Sequence, residues 1–298
     1  MRLTSAIPLC CLTVHSRITA RKVRRPGLPG IEFYHFGRRI GWRLLAAGSK
    51  AGLDYLIAPV KNIRYFELPF ALQNLPADSG NWLDVSSPSL FSLYVAKGNP
   101  HSRVRVMNPD LNDVQLTLQV AGNLGLTNVS GARAGVDSLA RGKDSFDCIW
   151  SISVVEHIAG PYDDTSAIQW MFDALKPGGR LIITVPVDRQ SWDEYRDVDY
   201  YGTQPYVPGK GFFFQRFYDE RTLYQRLIRP LGVEPSRLAW FGEKQPGHFA
   251  NYVRRWLEDG NGFCVDDPLV MVAHYQLYAS WREMPGFGVC GFVVQKPL

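Results

Sequence analysis

The sequence predicts an α/β fold, a doubly wound and mostly parallel sheet with helices on both faces. Three observations predict it. Phe146–Ser153 (FDCIWSIS) and Arg180–Val187 (RLIITVPV) are short, β-branched, nearly continuous apolar runs of the kind that form strands buried on both faces. Between them, Ile168, Met171, Phe172 and Leu175 recur at helical spacing over Thr165–Leu175. From Asn81 onward, strand-like and helix-like stretches alternate, which is the signature of parallel βαβ units.

The elements follow in order. Trp42–Ala58 reads as a helix ended by Pro59, and Tyr65–Phe70 as an apolar connector in which Pro69 bars a regular helix. Leu75–Gly80 is a turn-rich boundary. Beyond it come a strand at Asn81–Ser86, a helix at Pro88–Lys97, a strand at Arg103–Asn108, a helix at Asp110–Gly122 and a weaker strand at Asn128–Ala134. After Arg180–Val187, the stretch 188–217 reads as a long aromatic loop, and loops of that length are usually functional. A helix follows from Tyr218 to Arg229, then a sixth strand at Leu238–Phe241. Residues 242–285 read as an insertion with helices near Ala250–Leu257 and Leu269–Trp281, and Gly288–Gln295 as a closing strand.

Composition narrows the function classes. The 298 residues are 46% hydrophobic and 20% charged, ordinary for a globular protein. The net charge of +5 is concentrated in the first fifty residues, and the remainder is mildly acidic. A polyanion-binding body is therefore not expected, and no nucleic acid is expected as partner. The five cysteines include no C-x-x-C pair, which argues against a disulfide framework, a zinc ribbon or another metal centre and suits a cytoplasmic setting. Residues 1–30 form a basic arm, expected to be flexible. Ala6–Val14 behind Arg2 also has the form of a secretory apolar segment, and an Arg-rich, acid-poor arm that of a transit peptide. No run of eighteen apolar residues is present. The expected organisation is thus an arm (1–30), a helical extension (31–80) and one large domain (81–298) with a lid (188–217) and the insertion (242–285).

Two motifs carry a family resemblance. Phe146 to Ile158 (FDCIWSISVVEHI) resembles the fourth-strand signature of class I S-adenosylmethionine-dependent methyltransferases. Ala174 to Leu181 (ALKPGGRL) resembles their turn into strand five. The resemblance implies a Rossmann-like, seven-stranded sheet whose last strand enters antiparallel. It implies S-adenosyl-L-methionine as cofactor and methyl transfer to a small-molecule acceptor, a sugar or lipid-linked intermediate being suggested by the aromatic lid. The first loop departs from the family's acid-and-glycine pattern: Asp84-Val85-Ser86-Ser87-Pro88-Ser89-Leu90 keeps the acid without the glycines. A second reading is therefore a degenerate methyltransferase fold acting as a binding or scaffold protein.

The resemblance places cofactor contacts at Asp84, Val85, Ser86 and Ser87, with Ser87 as N-cap and Pro88 as first helical residue. It adds Ser151, Ile152 and Ser153 at the end of the fourth strand. For the ribose it offers Asn108, with Asp110 either a second contact or a helix cap. Asp137 lies near the position that meets adenine. His157 is the candidate general base, beside Glu156. As alternatives, His157 is a structural histidine bonded to a loop carbonyl, and Glu156 is placed favourably at a helix N-terminus. Asp188, Trp192 and Tyr195 are the candidate acceptor contacts at the start of the lid.

Overall fold

The computed structural model describes residues 28–202, 204–259 and 268–298. Most of the basic arm, with Cys10 and Cys11, lies outside them, as does Cys264. The described chain opens with helices α1 (Ile31–Ala46), α2 (Gly52–Ile57) and α3 (Arg64–Gln73). The single helix expected over Trp42–Ala58 is instead two. α1 ends where Gly48 takes φ 77°, a left-handed exit that glycine permits, and Ser49 N–H closes the turn on Leu44 O at 2.8 Å. The connector expected at Tyr65–Phe70 is also helical. Pro69 costs α3 one backbone hydrogen bond, but Tyr65, Phe66, Leu68, Phe70 and Ala71 are all buried by the helix. Burying five apolar side chains outweighs a missing donor.

A βα alternation follows: β1 (Asn81–Val85), α4 (Ser89–Gly98), β2 (Arg103–Asn108), α5 (Leu111–Asn123), β3 (Val129–Arg133), β4 (Phe146–Ile152), α6 (Asp164–Asp173) and β5 (Leu175–Val187). The Lys176-Pro177-Gly178-Gly179 segment lies inside β5, not before it. The register shifts there between Phe146 and Cys148, and Gly178 N–H donates to Lys296 O. The strand order in the main sheet is β10-β9-β11-β5-β4-β1-β2-β3. β1 to β5 are mutually parallel, and β11 (Gly288–Gln295) runs antiparallel between β5 and β9 (Arg237–Glu243). The sheet has eight strands, not seven. The extra one, β10 (Tyr275–Tyr278), falls where the second insertion helix was expected; α9 (Pro268–His274) stops and the chain pairs with β9. Tyr275 is buried there, and Tyr278 donates its hydroxyl to Glu243 O at 2.6 Å.

Alternation along the strands divides the core between the sheet's faces. Trp82, Trp150 and Ile152 face α4 and the N-terminal helices; Leu83, Ile149 and Ile183 face α6 and the segment after the lid. The N-terminal helices are thus part of the main core. Phe70 of α3 lies so close on β11 that a Cβ on Gly291 would sit 2.6 Å from its ring.

The aromatic lid is a small antiparallel sheet, not a loop. β6 (Trp192–Arg196) and β7 (Tyr206–Val207) flank β8 (Gly211–Phe217). Its base is tied to the domain through Asp164, which is fully buried. Asp164 accepts from the Tyr218 hydroxyl at 2.7 Å and from Arg226 Nε at 3.0 Å, and pairs with Arg216 at 2.8 Å. The helix expected over Tyr218–Arg229 is shorter: α7 covers Glu220–Leu223, followed by a π turn at Tyr224–Ile228. α8 (His248–Asp259) completes the described helices.

Candidate functional site

Parallel sheets leave a crevice beyond the carboxyl ends of their strands, where chain connections diverge to opposite faces. Here that crevice is a cavity of about 680 Å³. The loops after β1, β2 and β4 form its floor. Residues of α2, α3 and their connection, the lid, and Phe249 and Tyr252 of α8 close over it.

The first loop is built around Asp84. Its carboxylate is fully buried and accepts from Ser87 N–H at 2.8 Å and from the Ser92 hydroxyl. Burial, the largest influence, pushes its carboxyl up to about 6 against those stabilising hydrogen bonds. Ser86 takes φ 55°, a left-handed turn usually left to glycine, and both its N–H and hydroxyl bond to Met107 O. Pro88, not Ser87, precedes the helix, and α4 starts at Ser89 with no side-chain cap. Ser87 instead accepts from Ile152 N–H through its hydroxyl at 3.0 Å, which joins the β1 loop to the end of β4. The uncapped first turn of α4 therefore lines the cavity with Ser89 and Leu90, whose N–H groups have no acceptor within the helix.

At the end of β2, Asn108 lines the cavity and accepts from Asp110 N–H at 2.8 Å. Asp110 caps α5 through Asn112 N–H and is not at the cavity wall. The acid that does reach the wall is Asp113, one turn along; burial and then Asp110 raise its carboxyl.

Beyond β4, Ser153 takes φ 51°, and Glu156 and His157 occupy a 3₁₀ turn. Glu156 is fully buried and lines the cavity. Burial drives its carboxyl well above the ordinary value, and Glu67 adds to that. His157 bonds through Nδ1 to Phe214 O at 2.6 Å, which fixes Nδ1 as the donor and leaves Nε2 an acceptor. Burial lowers its imidazole to about 4, so the ring is neutral at pH 7. The Tyr201 hydroxyl lies 3.4 Å from Nε2.

Of the expected site residues, the cavity brings together Ser86, Ser87, Asn108, Ile152, Ser153, Glu156 and His157. The others lie elsewhere. Asp84 sits beneath the loop. Val85 accepts from the buried Ser151 hydroxyl through its carbonyl. Asp137 accepts from the Tyr162 hydroxyl at 3.1 Å and is not at the cavity wall. Trp192 stacks on Phe217 at 4.1 Å and donates to Asp188 Oδ2, and Tyr195 packs edge-on against Phe213; none of these three reaches the cavity. The lid residues that do are Arg196, Tyr201, Phe214 and Gln215.

Sequence reasoning missed the roof from the N-terminal extension. Tyr55 lines the cavity with its hydroxyl 3.0 Å from Ser89 Oγ, and Arg64 and Glu67 of α3 line it as well. A lone glutamate within Tyr65–Phe70 was the available signal, since a charged residue in an apolar run is seldom buried without a purpose.

Comparison with known proteins places the domain in a family. Residues 75–229 match a family described as a methyltransferase domain. Among solved structures, coclaurine N-methyltransferase bound to N-methylheliamine and SAH is similar at 14% identity and TM-score 0.51, over 76% of this chain and 68% of that one. Geranyl diphosphate C-methyltransferase from Streptomyces coelicolor A3(2) gives 11% and 0.49 over 77% and 74%. The [4+2]-cyclase SpnF gives 17% and 0.49 over 77% and 78%. No curated protein matches the sequence. No helix among the described residues is long and apolar enough to cross a membrane. With its family match spanning the first strand to the segment after the lid, this chain belongs to the methyltransferase domain family, whose cofactor is S-adenosyl-L-methionine.

Proposed function

We propose that this protein transfers a methyl group from S-adenosyl-L-methionine to a small molecule enclosed between the sheet edge, the lid and the N-terminal helices. The observation that carries the reading is the cavity itself. It has an uncapped helix N-terminus, Asn108 at the end of β2 and Asp113 of α5 at one part of its wall, and buried acid–imidazole chemistry after β4 at another.

The residues present fit the cofactor. The α4 N–H groups and the Tyr55–Ser89 hydroxyl pair suit a carboxylate. Asn108 and Asp113 suit a pair of ribose hydroxyls. Ser86 reaches the tight turn with a left-handed φ, so the loop keeps its course without glycine. When bound, the cofactor supplies an electrophilic methyl group. The protein's contribution is to exclude water, orient the acceptor and hold its proton. Alignment alone is worth up to about 7–11 kcal/mol in favourable cases. His157 and Glu156 stand where an acceptor's proton would leave. A neutral Nε2 accepts a hydrogen bond from the acceptor, and Phe214 O holds the ring in place. The enclosing roof favours a small acceptor over a macromolecule; a sugar or lipid-linked acceptor rests on the lid's aromatic content alone.

Calorimetric titration with S-adenosylhomocysteine tests the reading. Saturable binding is expected, and absence of both heat and thermal shift at millimolar ligand would sink it.

A further inference from the structure

One feature of the cavity wall is absent from the fourth-strand motif. Glu67 reaches the cavity from α3, far from β4 in sequence, and is fully buried. Its Oε1 is fixed, accepting from the Thr184 hydroxyl at 2.7 Å and from the Ser153 hydroxyl. Its Oε2 has no hydrogen-bond partner. Glu156, also fully buried and on the same cavity, likewise leaves Oε2 without a partner. Arg64 lines the cavity too but forms no ion pair with either carboxylate among the described residues. Tyr201 and Phe214 line the same cavity and stack on each other with their planes 9° apart.

Buried carboxylate oxygens are ordinarily hydrogen-bonded, because water has been removed and nothing else solvates them. Two such oxygens, buried beside one cavity, call for a ligand that brings donors. A hydroxyl brings one neutral donor. A protonated amine brings up to three charged ones and favours the ionised form of a carboxylate beside it. We infer that the methyl acceptor is an amine, anchored as its ammonium by Glu67, so that the N-terminal extension sets acceptor specificity.

The inference rests on the methyltransferase reading and narrows its substrate class. Its proton balance is simple. One N–H bond of the bound ammonium breaks, the proton joins a carboxylate oxygen, and the electron pair stays on nitrogen as the nucleophilic lone pair.

The test uses protein saturated with S-adenosylhomocysteine and two probes of one shape, phenethylamine and 2-phenylethanol, titrated calorimetrically. The amine should bind at least about tenfold more tightly than the alcohol, as expected for charge-assisted over neutral hydrogen bonds. In Glu67→Gln that preference should shrink to about threefold or less, with S-adenosylhomocysteine affinity unchanged. Equal binding of the two probes by the wild type, or no binding of the amine, would overturn the inference. So would a preference that survives in Glu67→Gln. If that variant does not fold, Glu156→Gln takes its place, and the wild-type comparison decides independently. Failure to bind S-adenosylhomocysteine in the first step counts against the methyltransferase reading instead, so the two failures are distinguishable.

Discussion

Two turns at the same sheet edge have solved one problem in opposite ways. Both the β1 loop and the β4 loop place a serine in left-handed backbone, Ser86 at φ 55° and Ser153 at φ 51°. After β1 the side-chain polar groups are consumed internally. Both oxygens of Asp84 accept, Ser86 bonds to Met107 O, and Ser87 serves Ile152. After β4 the chain leaves chemistry open: Glu156 Oε2 has no partner, and neither has Oε2 of the Glu67 that braces Ser153. The comparison separates a loop that holds its shape from a turn that keeps unsatisfied groups beside the cavity. Such strain and desolvation persist only where the surrounding structure enforces them.

The largest effect should come from breaking the satisfied side. Asp84→Ala leaves the Ser87 N–H and Ser92 hydroxyl buried without acceptors and should cost roughly 3 kcal/mol in denaturant unfolding. It should also abolish measurable S-adenosylhomocysteine binding through loss of loop shape. An unchanged midpoint would show that the loop is not built on this carboxylate. The open side should respond with the opposite sign. Glu156→Leu removes a buried carboxyl with an unpartnered oxygen and should raise stability by about 1–2 kcal/mol while eliminating turnover. A destabilised variant would mean that Glu156 is structurally satisfied.

The two sides also titrate in opposite senses. The folded protein keeps His157 neutral down to about 4, whereas the unfolded chain takes up that proton at 6.5. His157 therefore contributes stability above 6.5 that is lost as the pH falls toward 4. Asp84 holds its proton up to about 6, against 3.8 unfolded, so its contribution falls as the pH rises through that interval. In His157→Phe the acid-side loss should flatten, seen as a smaller drop in melting temperature between pH 7 and 5 than in the wild type. An identical drop would assign that slope to other groups. The smallest effect concerns Ser86. Relief of left-handed strain in Ser86→Gly is worth about 1 kcal/mol and is partly offset by loss of the bond to Met107 O, so a melting shift of no more than a few degrees is expected.

The sheet was legible where strands are buried on both faces. β1, β4 and the 181–187 part of β5 announce themselves as apolar runs because no solvent-facing residue interrupts them. α3 was hidden by Pro69, whose local cost is visible in sequence while the distant packing that offsets it is not. β10 was hidden because the apolar Leu269–Ala273 stretch runs into Tyr275–Tyr278 without a break, and only pairing with β9 decides where helix gives way to strand. The lid's contents were legible but not its form: β8 has Phe212, Phe213 and Phe214 in succession, which gives no period-two alternation to read. In the cavity, Glu156 and His157 were legible because they follow their strand directly. Glu67, Arg64 and Tyr55 were not, because only the folded chain brings α3 over the ends of β4 and β5 and α2 to the start of α4.

The seat of Phe70 on Gly291 has a consequence for assembly. Residues 64–73 are synthesised early, yet the strand they rest on is made some two hundred residues later. Until β11 enters between β5 and β9, α3 can meet β4 and β5 through Glu67, but its Phe70 edge lacks its seat. Closing so long a loop is entropically slow. The binding pocket should therefore be the last part of the molecule to form, and a ribosome-bound chain lacking β11 should show a partly formed parallel sheet with α3 open to protease.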